Sequence, residues 1–408
     1  MTNLKIRAII LFSLVLSFPP NSVLWGQQES DPESSDYTQQ LEKRIQVLEQ
    51  IVKELQRQRP SETPSTESTS QAEVVQTEEV GSQSLVQEPV VDRALKISGL
   101  VFGDLYWNAA GHDESLKDRN GFWFRRIYLG FDKTMAEQLD MRLRFEMNSA
   151  GDFRSNAKLE PFVKDAYLRW KFTDQHQTYL GLSSTPTWNV VEGFWSYRSL
   201  EKTVLDLQRM GASRDLGVAF RGSLGSEKKV RYHLMVGNGS STRGETNKGK
   251  GTSASLGFYP NDSLIFELYS DYDQRPLQAD RNTYQVFLGY KRNWGRLGIQ
   301  YAHQKRKGDS KVDLDVLSLF GFVDVSPRVT LIGRYDRMFD PNPEGAKIPY
   351  IPFDPTAKFH FFLAGIDWKV SEGFSLIPNV EVVRYDKRED GTRPDTDLIL
   401  RITFYYKF

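Results

Sequence analysis

From Lys96 onward, apolar and polar residues alternate with a period of two, and few folds can use that pattern over most of a chain. In 138–147, Met141, Leu143, Phe145 and Met147 fall on one face, with Asp140, Arg142, Arg144 and Glu146 on the other. The C-terminal stretch repeats the arrangement. Leu398, Leu400, Ile402, Phe404, Tyr406 and Phe408 alternate with Asp397, Ile399, Arg401, Thr403, Tyr405 and Lys407. Successive side chains of a strand point to opposite faces. An unbroken apolar face opposite a charged one suits a strand standing between hydrocarbon and water, the dyad pattern of a membrane barrel.

Segments of this kind occupy 96–109, 122–133, 138–148, 162–172, 176–184, 214–222, 228–238 and 251–260. They continue through 263–273, 281–292, 294–305, 313–325, 327–339, 357–370, 373–386 and 395–408. The count of sixteen is even, and a tilted strand crosses a bilayer in about 9–11 residues. Connections after even-numbered segments are short, such as Pro260-Asn-Asp262; those after odd-numbered segments are longer, such as 110–121, 149–161, 239–250 and the proline-rich 340–356. Short periplasmic turns and long extracellular loops give that alternation, whereas a soluble sandwich has no reason for it. The reading is all-β: a 16-stranded antiparallel transmembrane β-barrel over 94–408, in the bacterial outer membrane, with both barrel ends toward the periplasm. Pro378 predicts a bulge, because a closed barrel has no edge to absorb the lost N–H. The faces of 313–325 and 357–370 are ambiguous.

Ahead of the barrel, Lys5 and Arg7 precede an apolar run from Ala8 to Phe18 that ends at Pro19-Pro20. It is too short to span as a helix, so 1–26 reads as a secretory signal peptide. Within 37–59, Leu41, Ile45, Leu48, Val52 and Leu55 alternate by four and three, a heptad series that predicts a short coiled-coil helix, dimeric or trimeric. Residues 60–93 are rich in Ser, Thr, Glu, Gln and Pro and read as a disordered linker, able to reach on the order of 100 Å. It could hold a periplasmic helix well away from the barrel.

Acidic and basic residues balance at 53 each, yet 94–408 alone holds 45 Lys/Arg against 39 Asp/Glu. That is a mild anion bias and not a nucleic-acid signature. With no cysteine there is no disulfide, thiolate metal site, cysteine nucleophile or lipid-anchoring thiol. No metal or other cofactor is predicted.

Several strand motifs, taken in order, resemble the phosphate-selective porin O/P family of outer-membrane porins. Phe124-Arg-Arg-Ile-Tyr-Leu-Gly-Phe131 is similar to its second strand, and Asp165-Ala-Tyr-Leu168 to its recurring Asp-Ala-Tyr strand. Arg214-Asp-Leu-Gly217 with Gly222 is similar to the strand after its long inward loop. The terminal Phe408 resembles the signal by which such proteins engage the barrel-assembly machinery. The resemblance implies a homotrimeric diffusion channel for small anions or other small solutes, in contact with outer-membrane lipid. The family's basic residue before a proline is replaced by Ser183-Ser-Thr-Pro186, and a dense Arg ladder is not evident. A weak to moderate anion preference, extending to phosphate or other oxyanions, is expected rather than exclusive phosphate passage.

Strand parity turns Arg126, Arg142, Arg144, Arg169, Lys171, Arg221, Arg296, Arg334 and Arg401 toward the lumen, where rings of basic residues favour anions. Asp140, Glu146, Asp165 and Glu267 share that face, so many of the basic residues can be paired. The longest connection, 185–213, carries Trp188, Glu192, Trp195, Arg198, Glu201, Lys202, Asp206 and Arg209. Loops of that length usually have a role. The resemblance implies that it folds inward as a constriction; the alternative is an external loop packed on a neighbouring subunit. Two rival classes stand against a channel: a structural barrel tethering the outer membrane through its coiled coil, and a barrel enzyme. None of the five histidines (His112, His176, His233, His303, His360) lies in a Gly-x-Ser-x-Gly or His-x-x-Glu-His motif, so no catalytic residue is assigned.

Overall fold

A computed structural model describes residues 94–186, 188–276, 278–308 and 311–408. The expected signal peptide, coiled coil and linker lie outside the described residues. Sixteen antiparallel strands follow one another. They are β1 (Lys96–Ala110), β2 (Asn120–Ala136), β3 (Leu139–Met147), β4 (Phe162–Lys171), β5 (His176–Ser184) and β6 (Arg214–Leu224). Next come β7 (Val230–Gly237), β8 (Gly251–Asn261), β9 (Leu264–Asp273), β10 (Asp280–Arg292) and β11 (Gly295–Lys307). The last are β12 (Val312–Ser326), β13 (Val329–Met338), β14 (Phe359–Ser371), β15 (Phe374–Tyr385) and β16 (Asp397–Lys407). Each pairs with its neighbours in sequence, and β1 also pairs with β16, with Leu105 opposite Ile402, so the ladder closes. Closure leaves no strand edge unpaired, the condition for a sheet in hydrocarbon.

Accessibility follows the two-residue period. Along β9, Phe266, Leu268 and Tyr272 are exposed, while Glu267 and Tyr269 are buried. Large apolar side chains are therefore on the outside, as with Leu180 (58% exposed) and Trp294 (56%). In water this would be an aggregating surface; against lipid it is the favourable arrangement.

Two departures from strict alternation matter. Between β1 and β2 the register shifts so that Phe102 faces Arg126 and Gly103 faces Phe124, leaving Arg125 as an extra residue. Between β3 and β4 the same occurs at Lys164, because Arg144 faces Asp165 and Phe145 faces Val163. Each bulge turns two consecutive charged side chains inward. The bulge expected at Pro378 is absent. Pro378 stands opposite Ile402 in unbroken register on β16; on the β14 side pairing lapses between Gly365↔Asn379 and Trp368↔Leu376 without a slip. Its ring is exposed on the outer face, so the missing N–H costs a local gap in one ladder and not a change of register.

The ambiguous faces of β12 and β14 also resolve. Leu314, Val316, Phe320, Phe359, Phe361 and Leu363 are buried on the inner side. Both faces are apolar there because something other than water covers the inner one.

Candidate channel interior

The cover is the connection between β5 and β6. It forms short turns of helix at Trp188–Glu192, Gly193–Trp195 and Val204–Leu207. Trp188, Phe194, Trp195, Leu200, Leu205, Leu207 and Met210 are buried in one cluster with inward side chains of β9–β16. Phe194 and Phe287 have ring centroids 5.3 Å apart, as do Trp195 and Phe320. Gly289 clears the seat: a Cβ there would stand 2.8 Å from the Phe194 ring. A chain that leaves the wall at β5 and meets inward side chains of β10–β14 crosses the interior. The force is ordinary, since a wet lumen makes each fully buried Leu or Phe worth about 1.5–3 kcal/mol.

Polar ties fix the register of this segment. Arg296 Nη1 donates to the carbonyls of Gly193 (3.1 Å) and Phe194 (3.2 Å) and to Ser196 Oγ (2.9 Å). Arg334 donates to the Lys202 carbonyl and pairs with Asp336 at 2.6 Å. Arg281 Nη1 donates to the Arg209 carbonyl at 3.0 Å, and Arg209 donates to the Lys347 carbonyl at 3.0 Å.

Behind the segment lies a fully covered ion cluster. Arg125 pairs with Glu201 (2.6 Å) and Asp104 (3.7 Å). Arg401 pairs with Glu381 (2.5 Å) and approaches Asp104 (3.9 Å) and Glu201 (4.0 Å). Two guanidiniums thus meet three carboxylates, and Glu201 ties the segment to β2 and β16.

A second segment is drawn inward. The 340–356 stretch, expected as an external loop, buries Ile348, Tyr350, Ile351 and Phe353. The Tyr350 hydroxyl donates to the Ser149 carbonyl (2.7 Å), and its carbonyl accepts from Arg401 (2.7 Å). The prolines misled by composition; Ile348, Tyr350, Ile351 and Phe353 were the signal of a buried loop.

The charged edge of the β5–β6 segment faces β2–β4. Arg198 pairs with Glu192 (3.6 Å) and Asp206 (3.7 Å), and Lys202 with Asp206 (3.6 Å). Asp206 also lies in the field of Arg126 and Lys164. On the facing wall Glu146 holds Arg126 (2.7 Å) and Lys164 (2.9 Å), and Asp140 holds Arg169 (2.6 Å) and Lys171 (3.0 Å). Asp165 holds Arg144 and Arg214, while Asp132 holds Arg142 at 2.6 Å. Among the described residues Arg221 pairs with no carboxylate: it stacks 4.0 Å from the Tyr179 ring centroid and donates to Ser184 and His233.

All nine basic residues singled out by parity are on the inner face, but in two environments. Arg142, Arg144, Arg169, Lys171, Arg221 and Arg296 are partly exposed, whereas Arg126, Arg334 and Arg401 are buried. Parity missed Arg125 and Lys164, which the bulges turn inward. The signal available was two charged residues in succession within an alternating strand. Among the described residues, no group of three or more His, Asp or Glu could hold a metal.

Comparison with known proteins agrees with this geometry. The family model "Phosphate-selective porin O and P" matches residues 102–187, from β1 into the inserted segment. Among curated proteins nothing matches the chain. The barrel is similar to an anion-selective porin from Comamonas acidovorans, with TM-score 0.59 and 12% identity, covering 78% of this chain and 100% of that one. It is also similar to Salmonella typhi OmpF in complex with daunomycin (TM-score 0.57, 13% identity, 78% and 98% covered). A Vibrio cholerae OmpT loop-deletion mutant gives TM-score 0.55 and 14% identity, with 77% and 99% covered. The fold is that of a porin barrel, and the resemblance to phosphate-selective porin O and P carried by the strand motifs is matched by that family's own model over residues 102–187.

Proposed function

We propose that the chain is an outer-membrane porin: a passive diffusion channel for small solutes with weak to moderate anion preference, phosphate and other oxyanions included. One observation carries the anion reading. Along the β2–β6 wall that faces the segment, Glu146, Asp140 and Asp165 are each shared by two basic side chains. Arg221 adds an uncompensated charge. Basic groups in excess of their carboxylates leave a net positive field, and partial pairing keeps it modest. The constriction in this reading is the segment carrying Trp188, Glu192, Trp195, Arg198, Glu201, Lys202, Asp206 and Arg209. Assembly as a homotrimer, insertion through Phe408 by the barrel-assembly machinery and a periplasmic N-terminus belong to the same proposal.

The test is reversal potential across a planar bilayer under a salt gradient, for wild type and Arg142→Ala/Arg144→Ala. Wild type should favour anions. The double variant releases Asp132 and removes one of the two partners of Asp165, so it should move to neutrality or to cation preference. A wild-type channel that prefers cations would falsify the anion reading and leave a general porin.

A further inference from the structure

A groove of about 430 Å³ runs across the outer wall on β12, β13 and β14. Its floor is Gly321, Gly333 and Ala364, which stand opposite one another along the ladder. Leu319, Tyr335, Phe362 and Val382 form the next row toward the long-loop end and wall that side. The volume lies in the range of small-molecule pockets, about 300–1,000 Å³. It is open space: a Cβ on Gly333 would meet no atom within 4 Å.

Beyond that wall, one more step along the same outward face, lies a basic row. Arg337 stands opposite His360, and His360 opposite Arg384. Arg337 Nη2 bonds Asp386 at 2.6 Å, and His360 Nε2 is 3.7 Å from the same carboxylate. Arg337 Nη1 is buried with no hydrogen-bond partner among the described residues. Asp386 therefore faces the Arg337 guanidinium and the His360 ring, with the Arg384 and Lys358 charges exposed nearby. Asp315, one strand further on, is engaged by Tyr301 (2.5 Å) and His303 (3.0 Å). Tyr335 and Phe362 lie between the groove and the basic row and stack on its His360, with Tyr335–His360 centroids 5.9 Å apart. Aromatic rings at that level suit a headgroup boundary.

From Gly333 to Arg337 the strand rises about 14 Å. An apolar groove with cations one headgroup's distance above it fits an amphiphile carrying phosphate, the group guanidinium forks recognise best. We propose that this face binds the phosphorylated glycolipid of the outer leaflet, an acyl chain in the groove and a phosphate on the Arg337–His360–Arg384 row. The choice of leaflet rests on the proposed orientation, long loops outward.

The experiment uses the full chain purified in neutral detergent and incubated with lipid A, phosphatidylglycerol or phosphatidylcholine. Lipid retained after gel filtration is read by mass spectrometry. Wild type should retain lipid A about tenfold over phosphatidylcholine, the ratio that one or two charge-assisted hydrogen bonds supply. Arg337→Ala/Arg384→Ala and, separately, Gly333→Leu should each remove most of that excess while single-channel conductance stays at the wild-type value, because neither touches the lumen. Equal retention of all lipids, or unchanged retention in either variant, overturns the proposal. Phosphatidylglycerol held as well as lipid A overturns the outer-leaflet assignment. Loss of self-association in Gly333→Leu with lipid A still bound makes the groove a contact between copies of this chain, and that also overturns it. Binding in detergent is indifferent to orientation, so a failure here is separable from failure of the topology tested below.

Discussion

His112 lies just past β1, and both its backbone N–H and its ring turn to a residue at the start of β16. The backbone donates to Asp397 Oδ1 at 2.7 Å, and Nδ1 lies 2.8 Å from the same atom. The Tyr385 hydroxyl donates to Asp397 at 2.5 Å and stands 3.2 Å from Nδ1. Burial alone would lower the imidazole pKa, but the hydrogen bond and charge of Asp397, helped by Asp354 and Asp113, outweigh it and raise the value. A raised folded pKa stabilises fully below the unfolded value of about 6.5 and is lost as pH climbs through the folded one. Thermal stability of the wild type should therefore fall as pH rises from about 6.5 through the raised folded value, and His112→Gln should flatten that slope. Identical slopes in the two proteins would show that the pair does not couple. This contact was not legible in the sequence, where the histidine looks scattered and exposed. Its partner is 285 residues away, closed onto it only by β1–β16 pairing. Arg125 and Lys164 were hidden for a different reason, since a bulge reverses parity without leaving any apolar mark.

The inserted segment is the element on which the channel reading turns. Its length and aromatic content marked it in the sequence, but its seat did not. β12 and β14 looked ambiguous because the inner face they give the segment is as apolar as the outer face they give lipid. Strand positions elsewhere were legible because alternation is strict wherever lipid and water oppose each other. Glu201 holds the segment to Arg125 and sits within 4.0 Å of Arg401. Removing one partner of a buried pair costs about 3–5 kcal/mol, so Glu201→Gln should loosen the segment without emptying its apolar seat. The cavity variant Trp195→Ala attacks that seat at a similar cost of about 3–5 kcal/mol. Single-channel recordings of both should show larger and noisier conductance than wild type. Unchanged conductance in both would mean that the segment's position does not govern the open path.

For the whole molecule, an even number of strands puts both ends of the barrel on one side, and Leu100 of β1 lies opposite Lys407 of β16. The same side carries the short turns, such as Asn261 to Leu264 and Arg292 to Gly295. The opposite side carries the connections 185–213 and 339–358, both tucked inward, and 238–250, whose Gly244 is exposed with open space around it. Barrels of this kind keep short turns in the periplasm because the long connections are carried outward. The chain has no cysteine, so a single engineered thiol reports its own position. A cysteine at Gly244 should react with a membrane-impermeant maleimide on intact cells. One at Asp262, exposed in the β8–β9 turn, should react only after the outer membrane is opened. Gly345 is a poor site for this purpose, because the inward fold of its connection buries it. Labelling of Asp262→Cys but not Gly244→Cys on intact cells would invert the barrel, bring the Arg337–His360–Arg384 row to the periplasmic leaflet and leave the lumenal ion pairs as they are.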